Sequence, residues 1–169
     1  MTELLVFNNF ENVDVEQFLN VYKESSADNA KKWFPGLEQT EALKEYEDGF
    51  LGFMKNDFFS GGGILFFLTD GGCYVSALRL YEKAPSEYYL EALETNPKYR
   101  KKGYGRELLF QLQRYLKEHN KSYVLTAHVE KTNTPSLKTH KSAGFEITAD
   151  YVIEDGERFN TDYQLTYIQ

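Results

Sequence analysis

The residues best placed to do chemistry in this 169-residue chain stand in one stretch, Lys98-Tyr99-Arg100-Lys101-Lys102-Gly103-Tyr104-Gly105-Arg106. Two glycines one residue apart let backbone N–H groups converge without Cβ obstruction, and a helix start adds unsatisfied donors and a partial positive charge. Lys98, Arg100, Lys101, Lys102 and Arg106 gather positive charge here, in a chain whose formal charge is −7. The chemistry this favours is anion binding, and a pyrophosphate suits it. The stretch is not a Walker A loop, since G-x-x-x-x-G-K-[ST] is absent, and Leu108 occupies the third-glycine position of a dinucleotide fingerprint. Nucleotide hydrolysis and dinucleotide redox chemistry are therefore disfavoured.

Few other side chains compete for a chemical role. The lone cysteine, Cys73, lies in a glycine-rich turn with no evident base beside it, and no Cys/His cluster has metal-ligand spacing, so no metal is expected. The three histidines are His119, His128 and His140. An acidic chain is a poor sequence-independent binder of nucleic acid, whose phosphates need a basic surface. One cysteine suits a reducing cytosol, and neither a leader nor a long apolar run is evident, so a cytoplasmic protein off the membrane is expected.

The elements around the glycine turn must position it. Glu3–Phe7 reads as a strand, and Asp14 with Gln17 three residues on as a helix N-cap, with Ser25–Asp28 as that helix's exit. Pro35-Gly36 marks a loop, and a second helix runs from Glu38 to about Asn56. Ile64–Leu68 and Tyr74–Tyr81, joined by Asp70-Gly71-Gly72, form a hairpin. A strand over Tyr88–Thr95 stops at Asn96-Pro97. Leu108, Leu109, Leu112, Tyr115 and Leu116 share one face of a helix from Tyr104 to about His119. Ser122–Val129 reads as a central strand buried on both faces. Thr134-Pro135 then caps a short helix that ends at Gly144, and Phe145–Ile153 with Phe159–Ile168 close the chain as a hairpin around Asp155-Gly156. With 41% hydrophobic and 27% charged residues, this is one folded domain over 1–169, an α/β (α+β) chain with a central mixed, mostly antiparallel sheet flanked by helices.

With that context in place, Arg100-x-x-Gly103-x-Gly105 resembles the [QR]-x-x-G-x-[GA] signature of the GNAT superfamily of acetyl-CoA-dependent N-acetyltransferases. Asn133-x-x-Ser136, running through Leu137 to Ala143-Gly144-Phe145, resembles the family's later segment, in the same order and separation. The resemblance implies the GNAT acyl-CoA N-acyltransferase fold. It also implies acetyl-CoA as acyl donor and direct attack by a primary amine in a ternary complex. Leu93 and Thr95 would meet the pantetheine arm through the main chain. Arg100, Lys101, Lys102, Gly103, Tyr104, Gly105 and Arg106 would hold the pyrophosphate, with Asn133, Ser136 and Lys141 nearby.

Acylating an amine needs a proton acceptor for the nitrogen and a donor for the departing sulfur. On the strand before the turn, Tyr89, Glu91, Leu93 and Thr95 alternate onto one face, so Glu91 is the preferred base and Glu94, on the other face, is the alternate. His140 stands where many family members carry a tyrosine, and it is the candidate acid. The resemblance places the acceptor among the first two helices and the final hairpin, here including Tyr22, Trp33 and Phe34. It leaves open a small-molecule amine, a peptide or protein N-terminus, a non-catalytic acyl-CoA sensor, and whether the chain forms a homodimer.

Overall fold

A computed structural model describes residues 1–169 throughout. Seven strands make one sheet in the order β1-β2-β3-β4-β5-β9-β6. They are β1 (Thr2–Phe7), β2 (Ile64–Asp70), β3 (Cys73–Ala84), β4 (Glu87–Thr95), β5 (Val124–Glu130), β6 (Glu146–Ala149) and β9 (Asp162–Ile168). Only β4 and β5 run parallel. The turn between β2 and β3 needs positive φ, and Gly71 and Gly72 supply it at 59° and 79°. The remaining strands, β7 (Val152–Glu154) and β8 (Glu157–Phe159), form a separate small hairpin. The closing segment is thus two hairpins, β6 with β9 outside and β7 with β8 inside.

Helix α1 (Val15–Val21) is capped as expected, Asp14 accepting from the Gln17 amide at 3.1 Å. The Gln17 side chain also reaches the sheet, its Oε1 accepting from the amide of Tyr74 at 2.8 Å. Ser25–Asp28 does not leave the helical region. The chain breaks at Tyr22 and continues as α2 (Lys23–Trp33), because Tyr22 and Phe18 are buried on one side while Ser26 and Ala30 take up the next inward face. Helix α3 (Gln39–Phe53) follows and ends in a π-helical turn, Met54–Phe58. Together these elements cover one face of the sheet, burying Phe18, Val21, Tyr22, Met54 and Phe58 against Leu65, Phe67 and Ala77.

The other face is covered by α4 (Tyr104–His119), which buries Leu108, Leu109, Leu112 and Leu116 against Phe66, Leu78, Leu90 and Leu125. Helix α5 (Thr134–Ser142) begins one residue earlier than Thr134-Pro135 implies. Asn133 is the cap, its side chain accepting from the Ser136 amide at 3.1 Å. Gly144, at φ 89°, ends it. Strand β5 is central, but only Leu125, Ala127 and Val129 are buried; its second face opens where its neighbour departs. No helix is long and apolar enough to cross a membrane.

Candidate active site

Strand β4 does not alternate evenly. Arg79 on β3 faces Glu91, but Ala77, two residues away, faces Glu94, so β4 carries one extra residue. Ala92 takes up the difference at φ 50°, a left-handed conformation uncommon outside glycine and typical of functional sites. Two hydroxyls hold the bulge: Tyr22 Oη donates to the Ala92 carbonyl at 3.1 Å and Ser76 Oγ to the Glu94 carbonyl at 2.6 Å. Leu93 and Thr95 therefore turn toward α4, Leu93 packing on its core and Thr95 Oγ1 lying 3.3 Å from where a Cβ on Gly105 would stand. Glu91 and Glu94 both turn toward α1 and α2, across from Arg79 and Ala77. The expected pairing of Glu91 with Leu93 and Thr95, with Glu94 pointing away, is corrected here. The two-residue repeat of a strand is reset by the bulge.

β4 and β5 pair only over Glu87–Leu90 with Val124–Ala127 and then part. The gap opens into a cleft of about 850 Å³ that runs from the divergence to the start of α4. Leu93, Thr95, Arg100, Lys101, Gly103, Tyr104, Gly105, Arg106, Asn133 and Ser136 all line it, whereas Lys102 and Lys141 do not. Lys102 lies instead over the Tyr99 ring at 5.4 Å. At the helix start Gly103 adopts φ 83°, and the first intrahelical bond runs from the Glu107 amide to the Gly103 carbonyl. The amides of Tyr104, Gly105 and Arg106 are left without helical partners, as an anion cradle requires. Arg100 forms an ion pair across the cleft with Glu24 on α2 at 2.5 Å. Tyr104 points away from the cradle through its hydroxyl, which donates to Asp70 at 2.5 Å.

The candidate acid–base groups differ sharply in their surroundings. Glu91 Oε1 lies 3.0 Å from Arg79 Nε, an ion pair whose angle is too poor for a hydrogen bond, since that N–H has no bonded partner. Glu94 forms no ion pair, and burial raises its carboxyl pKa against the opposing pull of the Ser25 hydroxyl and the charges of Arg100 and Arg79. His140 lines the cleft but is only 2% exposed. Its Nδ1–H donates to the Ser136 carbonyl at 2.9 Å and its Nε2 has no partner. Burial lowers its pKa, so it is a neutral imidazole with a lone pair at Nε2.

His128 was passed over in the sequence because no motif contains it. In the structure it also lines the cleft, beside the point of divergence. Its Nδ1 lies 2.9 Å from Glu154 on β7 and 3.4 Å from Tyr89 Oη. A carboxylate at Nδ1 fixes the tautomer that leaves Nε2 as an acceptor. The available signal was alternation: with Leu125, Ala127 and Val129 inward, His128 had to face the opposite side of β5.

A second hollow, about 540 Å³, adjoins the cleft, and Ser25, Ala92 and Glu94 line both. Tyr22, Trp33 and Phe34, all expected near an acceptor, line it together with Tyr46, Phe50 and Phe53. A cleft ending in an anion cradle thus meets an aromatic hollow at a half-buried carboxylate, Glu94. A family model described as "Acetyltransferase (GNAT) family" matches residues 17–145. The chain belongs to the GNAT acetyltransferase family.

No curated protein matches the sequence. Solved GNAT structures resemble this one in fold at low identity. The IAA acetyltransferase of Bacillus cereus is 15% identical, with 100% of each chain covered and a TM-score of 0.62. The ribosomal-protein-S18-alanine N-acetyltransferase of Escherichia coli is 19% identical, with 99% of this chain and 94% of that one covered and a TM-score of 0.63. The paia N-acetyltransferase of Thermoplasma acidophilum, solved in complex with coenzyme A, is 16% identical, with 97% and 98% covered and a TM-score of 0.64. At such identities the likeness is one of fold. With the family match it makes this GNAT chain an acetyl-CoA-dependent N-acetyltransferase.

Proposed function

We propose that this GNAT protein moves the acetyl group of acetyl-CoA directly to a primary amine, with both substrates bound at once where β4 and β5 diverge. The observation that carries the reading is Glu94, shared by the cleft and the aromatic hollow. In this reading the amides of Tyr104, Gly105 and Arg106, with the side chains of Arg100, Lys101 and Arg106, hold the pyrophosphate. Leu93 and Thr95 on one side and Asn133 and Ser136 on the other flank the pantetheine arm. Gly105 supports the fit, because a Cβ there would crowd Thr95 Oγ1 at 3.3 Å.

The amine enters from the hollow as its ammonium form and gives a proton to Glu94, whose raised pKa brings it nearer the amine's than an ordinary carboxylate's. The free nitrogen pair then bonds to the thioester carbon, the C–S bond breaks, and the nitrogen's surplus proton goes to the departing sulfur. Glu91, tied to Arg79, steadies the charge beside the bulge. His140 carries no proton at Nε2, so it accepts a hydrogen bond in the cleft rather than acting as the acid. One observation favours a second proton acceptor: His128, held by Glu154 with its Nε2 free. Residues 1–169 act as a single domain in the cytosol in this reading.

The test is CoA thiol release with a panel of amines, in parallel for Glu94→Gln, Glu91→Gln and His128→Gln. Glu94→Gln is expected to lower kcat by about 10²- to 10⁴-fold, the usual worth of a positioned base, with CoA affinity kept. If His128→Gln alone shows that loss, the proton acceptor is His128. If no amine releases CoA although CoA binds, the catalytic reading falls.

A further inference from the structure

The hollow beside Glu94 has a character that the chemistry of acetyl transfer does not require. Six aromatic side chains, Tyr22, Trp33, Phe34, Tyr46, Phe50 and Phe53, supply its walls. Phe34, Tyr46, Phe50 and Phe53 are only half-buried, so each presents ring surface to the open space. Trp33, the chain's single tryptophan, is 68% exposed beside it. The wall is stiffly backed: Phe50 packs on the fully buried Phe18 at 5.1 Å between centroids and on Tyr22 at 5.5 Å. A volume of about 540 Å³ falls in the range that encloses a small organic molecule.

Charge in the hollow is concentrated at one point. Arg79 also lines it, but its charge is matched by Glu91, and its guanidinium lies over Phe50 and Phe53 at 5.6 and 5.5 Å. Glu45 lines it as well, but it is exposed, where water screens its attraction for a cation. Glu94 is the less exposed of the two carboxylates, half-buried where Glu45 is exposed, and it stands at the boundary with the cleft. One half-buried negative charge at the boundary of a mostly aromatic chamber favours one cationic end on an apolar body.

We infer that the acceptor is a small monoamine, a primary amine borne on an aromatic or aliphatic body with no second charged group. The inference rests on the acetyl-transfer reading and deepens it. The ammonium sits at Glu94, facing the divergence of β4 and β5, and the body lies against Phe50 and Phe53. Trp33 closes over its outer end. A polyamine's second cation would find only Glu45, where water screens the attraction, and a peptide N-terminus would have to desolvate its amides against ring faces with only Ser25 and Asn29 as uncharged polar neighbours besides the tyrosine hydroxyls.

The single tryptophan makes binding visible without turnover. With saturating CoA, the purified chain is titrated with phenethylamine, hexylamine, spermidine and an alanine-terminated tetrapeptide while Trp33 fluorescence is followed. Acetylation of each is measured in parallel by thiol release, and CoA binding by calorimetry. The expected result is a saturable fluorescence change with phenethylamine and hexylamine, and kcat/KM for them at least tenfold above spermidine and the peptide. Trp33→Ala is expected to raise KM for phenethylamine several-fold with CoA affinity unchanged. Equal or better kcat/KM with spermidine or the peptide overturns the inference while leaving acetyl transfer standing, as does the absence of any fluorescence change with the two monoamines. Failure of CoA itself to bind removes the acetyl-transfer reading, and this inference goes with it.

Discussion

The phenolic hydroxyl of Tyr22, at the junction of α1 and α2, donates to the carbonyl of Ala92 at the summit of the β4 bulge over 3.1 Å. Burial pushes the phenol's pKa well above its ordinary value, so the donor keeps its proton throughout the working range. The helical layer and the bulge that turns Glu94 toward the hollow are thereby joined through one bond.

Tyr22→Phe keeps the ring against Phe18 and Phe50 and leaves the Ala92 carbonyl without its partner. The expected cost is about 1–2 kcal/mol of stability, seen as a lower urea midpoint at constant m. Turnover should fall several-fold while CoA affinity holds, because the cradle at α4 is remote from the lost bond. A variant with normal turnover would show that the bulge does not need this hydroxyl.

Gly103→Ala tests the cradle. At φ 83° a Cβ meets the following carbonyl, which costs about 1–2 kcal/mol and shifts the turn that aims the amides of Tyr104, Gly105 and Arg106. Calorimetric titration with CoA should give a Kd raised about tenfold. Gly36→Ala, where a Cβ meets nothing within 4 Å, should leave the Kd unchanged.

Glu94→Gln should alter stability with a definite sign. The folded state raises the Glu94 pKa, so it binds that proton more tightly than the unfolded chain does, and stability falls as pH rises from the ordinary carboxylate value of about 4.3 through the raised one. Glutamine removes this fall. The difference in Tm between variant and parent should therefore move in the variant's favour from pH 4 to pH 7. A constant difference would mean that Glu94 is well solvated.

His140 carries the opposite sign. Its folded pKa lies below the ordinary histidine value of about 6.5, so the unfolded chain binds the extra proton, and the stabilisation present above pH 6.5 is lost as pH falls through the lowered value. Denaturant midpoints for the parent should drop as the pH is lowered below about 6.5, and His140→Phe should lack that component. A parallel drop in the variant would assign the acid sensitivity to other groups.

Local rules reached some elements with little error. The helix from Tyr104 to His119 and the Asp70-Gly71-Gly72 hairpin follow from periodicity and turn chemistry, since both are decided by residues close in sequence. The same rules misjudged Ser25–Asp28, which are polar enough to end a helix alone but are carried within α2 by the packing of Ser26 and Ala30. They found the turn at Asp155-Gly156 but merged two hairpins into one, and they could not see that Glu154 on β7 meets His128 26 residues away.

The chain's own order of residues determined the anion cradle, because glycines, basic side chains and a helix start are contiguous, and their backbone geometry is a local property. Whether Glu91 or Glu94 lines the aromatic hollow was decided by tertiary structure alone. It depends on Ala92 adopting a left-handed conformation, which alanine does not favour by itself and which is held by Tyr22 from α1 and Ser76 from β3. Bonds between residues so distant in sequence form only when the layers pack, and no spacing along the strand records them.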